Sequence, residues 1–417
     1  NAINELNERN NRFPISGYAA LDVRDVPRFD ITLVPIAING SIPELTQEIA
    51  EQLLSESLAL HPINEYRIRI REPYTSSVSG WQNVLRDIGN LRRSDGSNDY
   101  YHGIVNRRLD GSNTAGIGYV SGKSAISRPV GSTIAHELGH NFGRPHAPCG
   151  GVSSYDGSYP YAEARIGALG YDQRNGQLKS ARNYDYMSYC NPSWTSDYNF
   201  NKVLFALINN TIGNFKTQYV PSGQLWSVQG VLDKEIISIT DFWKVEDKSL
   251  KAEPGYYWIK LLDSNDALLG QGSFNMLNVD HGDEQHFYAQ VINELPSVEV
   301  NKIQLGIGAE VLFTKDLTPS LQAISPLDPN LASHPLNSRV QKAQQSISVI
   351  RLDDQRVSIQ WPADGSQLAV YSKAGTLLAR DKTGDIIVFT KNNNITLKWY
   401  SDKGTIEKDY LVNDIVK

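Results

Sequence analysis

Sulfur is scarce in this chain: 417 residues hold two cysteines and two methionines. The cysteines, Cys149 and Cys190, are either two free buried thiols or one disulfide. No run of about 18 apolar residues occurs, which excludes a membrane-spanning helix. No basic block occurs in a chain of net charge −6, so nothing could track a phosphate backbone and no nucleic-acid partner is expected. The first residues, Asn1 to Asn11, are polar and carry no apolar signal core. The sequence therefore reads either as cytoplasmic or as a mature form whose signal is already removed. With 40% hydrophobic and 21% charged residues the composition is that of an ordinary globular protein, long enough for several domains.

What is present changes character along the chain. Asp30 to Asn39 is rich in β-branched residues and reads as a strand. Gln47 to Leu60 sets Ile49, Leu53 and Leu54 on one helical stripe, and Tyr66 to Arg71 alternates as a half-buried strand. Trp81, Val84, Leu85, Ile88 and Leu91 return to helical spacing, followed by a short strand at Tyr100 to Val105. A mixed sheet covered by helices follows from that order. From Gln224 onward the pattern is all-β, with strands expected over Gln224 to Leu232, Tyr256 to Leu262, His286 to Ile292 and Ile303 to Phe313. Four prolines between Leu317 and Gln345 mark a semi-rigid linker, and the β texture then resumes. The expected parse is a unit over 1–220, a β-sandwich module over 221–316, a Pro-containing linker over 317–345 and a small all-β module over 346–417.

The chemistry concentrates in Ser132 to His146, STIAHELGHNFGRPH. On a helix His136 and His140 lie one turn apart on the same face, so both imidazoles can reach one ion at about 2.0–2.1 Å. Glu137 is rotated from His136 by about 100°, where it can face a water without ligating the ion. Gly143 stands where the helix end needs a left-handed residue, and Pro145 discourages continuation, so His146 can swing back as third ligand. From this composition the five-residue pattern arises by chance on the order of a few times in 10⁵ such sequences. Three histidines satisfied by hydrogen bonds on an ordinary helix are the weaker reading.

The pattern His136-Glu137-x-x-His140-x-x-Gly143-x-x-His146 resembles the long zinc signature of the metzincin metalloproteases, and Asp185-Tyr186-Met187-Ser188-Tyr189 is similar to that family's methionine turn. The resemblance extends over roughly residues 28 to 215. It implies an α+β catalytic domain with a mixed five-stranded sheet, followed here by the two sandwich-like modules. It implies one catalytic Zn²⁺ on His136, His140 and His146, Glu137 as general base to a zinc-activated water, and Met187 and Gly143 in structural roles. Ala115 to Ser127 would be the edge strand to which a substrate peptide adds, and Asn199 to Asn210 the helix under the site. Tyr189, two residues past Met187, is a candidate zinc ligand or oxyanion donor. Ala147, however, stands where the astacin and serralysin groups place glutamate and proline.

A Cys149–Cys190 bridge would tie the third-ligand loop to the methionine turn, a device more like that of large secreted bacterial metalloproteases with β modules, some of which cleave mucin-like O-glycoproteins. Such a bond belongs to an oxidising compartment, so the expectation is a secreted, monomeric zinc endopeptidase acting on proteins or glycoproteins. With no cysteine before the zinc signature, latency by a thiolate ligand is not expected in this chain. Arg144 and the loop Pro148 to Asp172 are candidates for lining the substrate site. No residues for an organic cofactor are expected; Ca²⁺ stays open as a further ion, with no acidic loop whose ligand spacing places its site. The competing reading is a glycan- or surface-binding protein in which the β modules carry the function. It rests on Trp226, Trp243, Trp258 and Trp399, whose alternation with polar residues fits core packing better.

Overall fold

The computed structural model describes residues 23–77, 80–209, 216–219, 223–245, 249–252, 254–317, 347–361, 367–401 and 404–412. The polar start at 1–11 and, apart from Leu317, the Pro-containing stretch lie outside them. The chain is a mixed α/β protein dominated by sheets, with four α-helices among the described residues, all of them before residue 210.

The first unit runs β1 (Phe29–Ala37), α1 (Gln47–Leu60), β2 (Tyr66–Ile70), β3 (Tyr74–Thr75), α2 (Trp81–Ser94), β4 (Tyr100–Ile104), β5 (Gly116–Val120), β6 (Ser124–Ser127) and α3 (Gly131–Asn141). Its sheet has the order β2-β1-β4-β6-β5, parallel throughout except for β5, which returns antiparallel on β6. Strand β1 is almost wholly buried, as a central strand covered on both faces must be. Helix α1 starts where Thr46 Oγ1 caps the Ile49 N–H at 3.2 Å. The face it buries is Ala50, Leu54, Ser57 and Leu60, a stripe one residue around from the expected Ile49. Edge position leaves Tyr66 of β2 exposed and only Ile68 and Ile70 half-buried. Helix α2 buries the expected stripe of Trp81, Val84, Leu85, Ile88 and Leu91.

Short strands β7 (Gly170–Asp172), β8 (Gln177–Lys179), β9 (Tyr184–Asp185) and β10 (Ser193–Trp194) lead to α4 (Asp197–Asn209), which buries Asn199, Val203 and Leu207. The β-rich remainder opens with β11 (Lys216–Tyr219), β12 (Gln224–Asp233), β13 (Ile236–Val245), β14 (Ser249–Ala252) and β15 (Tyr257–Leu262). It continues with β16 (Leu268–Phe274), β17 (Leu277–Val279), β18 (Gln285–Asn293), β19 (Lys302–Ile307) and β20 (Glu310–Asp316). One layer is β13-β12-β18-β17 and the other β16-β15-β19-β20, enclosing Val228, Ile259, Phe274, Phe287, Val291 and Ile303. The last strands, from Ser348–Arg351 to Gly404–Leu411, enclose a separate core around Trp361, Val388 and Trp399. Trp226 and Trp399 are both buried.

Two junctions join these layers to the first unit. Strand β17 pairs antiparallel with β5, so the segment expected as one free edge strand is a β5–β6 hairpin whose outer edge is taken. On the opposite side Ala379 bridges to Thr75 of β3. There Arg71 holds Asp95 through Nε at 2.6 Å and Nη2 at 3.0 Å, and donates to Leu377 O at 2.8 Å. Arg71 is buried while Asp95 reaches solvent, so removing the guanidinium takes away hydrogen bonds without stranding a buried charge. Arg71→Ala should therefore cost about 1–3 kcal/mol, read as a lowered midpoint in chemical denaturation of the full chain.

Candidate metal centre

Helix α3 lies against α1 and the β5–β6 hairpin, and polar contacts set its position. Asn141 Nδ2 donates to Tyr119 O and Ser124 O, each at 3.0 Å, and Ser121 N donates to His140 O at 3.0 Å. The helix ends as the sequence requires. Gly143 has φ of +79°, with Gly143 N bonded to His140 O at 2.8 Å and Arg144 N to Gly139 O at 2.9 Å. These two bonds form a Schellman cap, and the turn they make brings His146 back over the helix.

The three expected ligands converge. One ring nitrogen from each of His136, His140 and His146 lies within 4.8 Å of the others, and all three residues are buried. Their tautomers follow from their partners. His136 Nδ1 meets Tyr186 O at 2.9 Å, His140 Nδ1 meets Arg144 O at 2.7 Å, and His146 Nδ1 meets Ser154 O at 3.1 Å. A carbonyl oxygen only accepts, so each Nδ1 carries the proton and each Nε2 is a bare lone pair. Burial keeps the rings neutral, drawing His136 down to about 3, His146 to about 4 and His140 well below its usual range. The Nε2 atoms of His136 and His140 stand 3.2 Å apart. Two lone pairs at that distance repel unless a cation lies between them. Two nitrogens on one tetrahedral zinc would be about 3.3–3.4 Å apart, given Zn–N bonds of about 2.0–2.1 Å. The donor set therefore fits a metal ion.

Glu137 follows the same logic. It is buried, and its Oε2 has no hydrogen-bond partner. Burial, then the nearby Asp280 carboxylate, raise its pKa far above the usual carboxylate range, a cost that a neighbouring cation would relieve. Its side chain packs on β5 at Gly116 and Gly118, where an added Cβ would meet Glu137 Oε1 at 2.6 Å and Oε2 at 3.3 Å respectively.

Met187 is fully buried beneath α3, and Ala147 N donates to Met187 O at 2.9 Å. The disulfide Cys149–Cys190 is formed, with its Cα atoms 5.8 Å apart, and Tyr189 N donates to Cys149 O at 3.1 Å. The third-ligand loop and the methionine turn are thus tied by backbone bonds as well as by sulfur. Tyr189 is brought to the site, its hydroxyl donating to His146 Nε2 at 3.1 Å. Arg144 turns inward instead, with Nε on Asn199 Oδ1 and Nη2 on Asp156 Oδ2, both at 2.8 Å. Those bonds occupy it in holding the loop, so it is not free to line a substrate cleft.

Three participants escaped the sequence reading. Asp185 organises the methionine turn: Oδ1 accepts from Met187 N at 2.8 Å and Asn199 Nδ2 at 2.9 Å, and Oδ2 from Ser196 N at 3.0 Å. An aspartate two residues before a turn residue is a local signal that could have found it. Asp280 and His281, by contrast, reach the site from the end of β17, with Asp280 Oδ2 at 3.5 Å from His140 Nε2 and 3.3 Å from His281 Nε2. No local spacing connects residue 280 to residue 140.

The contact between helix and turn gives a stability test. A Cβ on Gly139 would lie 2.3 Å from Met187 Sδ and 2.9 Å from the Tyr186 ring. Gly139→Ala should lower stability by about 1–3 kcal/mol through overpacking and weaken metal uptake, measured by thermal denaturation and chelator competition.

Residues 75–218 match the family model described as Peptidase M66. No curated protein matches the chain. Among solved structures it aligns with one described as "Biofilm associated protein - BSP domain" at 12% identity, over 60% of this chain and 38% of that chain, with a TM-score of 0.15. A likeness that slight carries no argument. The matched stretch contains the three converging imidazoles and Glu137, and its similarity to peptidase M66 supports a metallopeptidase family for this chain.

Proposed function

We propose that this protein is a zinc-dependent endopeptidase of the metzincin type, acting outside the cell on proteins or glycoproteins. One observation carries the reading: three neutral imidazoles with their Nε2 lone pairs turned on one point, beside a buried carboxylate without a partner. Three nitrogen donors that leave a position open suit catalytic rather than structural zinc. When bound, zinc lowers the pKa of water to about 7 and polarises the scissile carbonyl. Glu137 takes a proton from the water as its oxygen attacks the carbonyl carbon, then delivers it to the amine nitrogen as the C–N bond breaks. Tyr189, through its hydroxyl, donates to the oxygen on which negative charge develops. The backbone carbonyls of Tyr186, Arg144 and Ser154 hold the imidazoles in the ligating tautomer.

The disulfide supports secretion, because such bonds persist in oxidising compartments. We keep 1–220 as the catalytic unit, followed by a β-sandwich module over 221–316 and a small all-β module over 346–417.

Glu137→Ala should retain bound zinc while hydrolysis of a protein substrate falls by about 10²–10⁴-fold, the scale of general-base catalysis. Metal content by atomic absorption and cleavage by mass spectrometry check it, and full activity in the zinc-loaded variant would sink the assignment. A strong chelator should abolish cleavage by the unaltered protein, and added Zn²⁺ should restore it.

A further inference from the structure

Where the first unit, the β-sandwich layers and the last strands meet, they border a cavity of about 530 Å³. That lies within the range of about 300–1,000 Å³ usual for small-molecule sites, which favour such junctions. Helix α2 supplies Arg93, the layer β13-β12-β18 supplies Trp243 and Tyr288, and strands Gln367–Ser372 and Leu377–Asp381 supply Gln367 and Arg380. Seven Lys and Arg side chains line the cavity, against the three carboxylates of Asp87, Asp241 and Asp381. Two of the seven also reach carboxylates beyond it, Arg86 to Glu284 at 3.9 Å and Lys398 to Glu407 at 3.0 Å. Seven cations against these five carboxylates leave a positive surplus, in a chain whose net charge is −6.

The cations are held in place. Arg93 Cζ stands 4.5 Å over the Tyr288 ring and Arg380 Cζ 4.4 Å over the Trp243 ring, and the two rings are 6.2 Å apart. A guanidinium over a ring carries its N–H fork at the rim, a shape that carboxylate and sulfate match. The wall behind is fixed by hydrogen bonds. Ser227 Oγ meets the Tyr288 hydroxyl at 3.0 Å, and Gln290 donates to Ser227 Oγ at 3.2 Å while accepting from Lys251 N at 2.7 Å. Acceptors stand among the cations. Asp241 Oδ2 accepts from Gln367 Nε2 at 3.3 Å, and its Oδ1 from Lys382 Nζ at 3.5 Å. Asp381 is 3% exposed, and its Oδ2 has no hydrogen-bond partner among the described residues, a state that costs free energy until a donor comes within reach. A ligand anionic on every side would be repelled by these carboxylates. One that carries a single anion and several hydroxyls satisfies both kinds of group.

We propose that this cavity binds an acidic sugar, a mono- or disaccharide bearing one carboxylate or sulfate. Arg93, Lys244 and Arg380 take the anion, and Asp241 with Gln367 takes hydroxyls. No lining residue is a candidate ligand of the metal centre, so the site stands apart from the proposed chemistry and needs no ion. A sugar held there touches the first unit, the sandwich and the last strands at once. It binds only where all three are docked, and by mass action it stabilises that arrangement.

Cellobiouronate, cellobiose 6-sulfate, cellobiose and sodium sulfate are titrated into the full-length protein by calorimetry. A chelator is present throughout, so the outcome is separate from the zinc-peptidase reading. At least one acidic disaccharide should bind about tenfold or more tightly than cellobiose or sulfate alone and should raise the thermal midpoint; which of the two binds better tells carboxylate from sulfate. Lys244 is exposed, so Lys244→Gln leaves the fold intact. It and Arg380→Gln should each weaken the acidic sugar by about tenfold, the scale of a hydrogen bond to a charged group. Asp241→Asn should weaken it by about fivefold, while inorganic sulfate, relieved of a like charge, binds no more weakly. Cellobiose binding as tightly as the acidic sugars overturns the proposal. So does failure of both acidic sugars to bind, or an affinity that ignores both Lys244→Gln and Arg380→Gln. Tighter binding of sulfate alone, or of a glutamate hexapeptide, overturns the ligand class.

Discussion

Three backbone carbonyls determine what this protein can do. Each accepts the Nδ1 proton of one histidine, and the opposite nitrogen is thereby left as a lone pair aimed at a common point. Those carbonyls belong to different pieces of chain: the methionine turn, the helix end and the third-ligand loop. The Schellman cap, the methionine packed under Gly139 and the disulfide each fix one of these pieces. Asp185 gathers the turn and α4 by the same means. The centre is thus a set of loops held so that three acceptors face three rings.

Legibility from the sequence tracked how local each feature is. Histidine spacing on α3, the stop at Gly143 and the stripe of α2 depend on residues a few positions apart, and all are visible in the string. The all-β texture after Gln224 was legible because alternation is a nearest-neighbour property, although Ile303 to Phe313 divides into β19 and β20. What stayed hidden needs distant pairing. Ala115 to Ser127 reads as a free edge because nothing within it tells of β17, some 150 residues later. Arg144 reads as a candidate cleft residue because its partners, Asp156 and Asn199, become neighbours only in the fold.

The aromatic residues of the β-rich half were legible for the same local reason. Trp226 and Trp399 alternate with polar residues, a pattern that fits core packing, and they sit in the cores of their layers. Trp243 and Trp258 are half-buried, one under the Arg380 guanidinium and one with its indole N–H on Gly308 O. The Trp243 ring face and the Trp258 indole N–H are thus already engaged within the chain.

Arg71 has a consequence for the order in which the molecule assembles. It lies between β2 and β3 of the first sheet, yet one of its bonds reaches the carbonyl of Leu377, 306 residues further along. Thr75 beside it also waits for Ala379. Contacts so far apart in the chain must bear the loop-closure entropy before they gain anything, and they form late. During synthesis the edge of the first sheet near β3 therefore stays unpaired until the final module has emerged. The nascent protein carries an open strand edge through most of its translation, and an open edge is where β proteins associate wrongly.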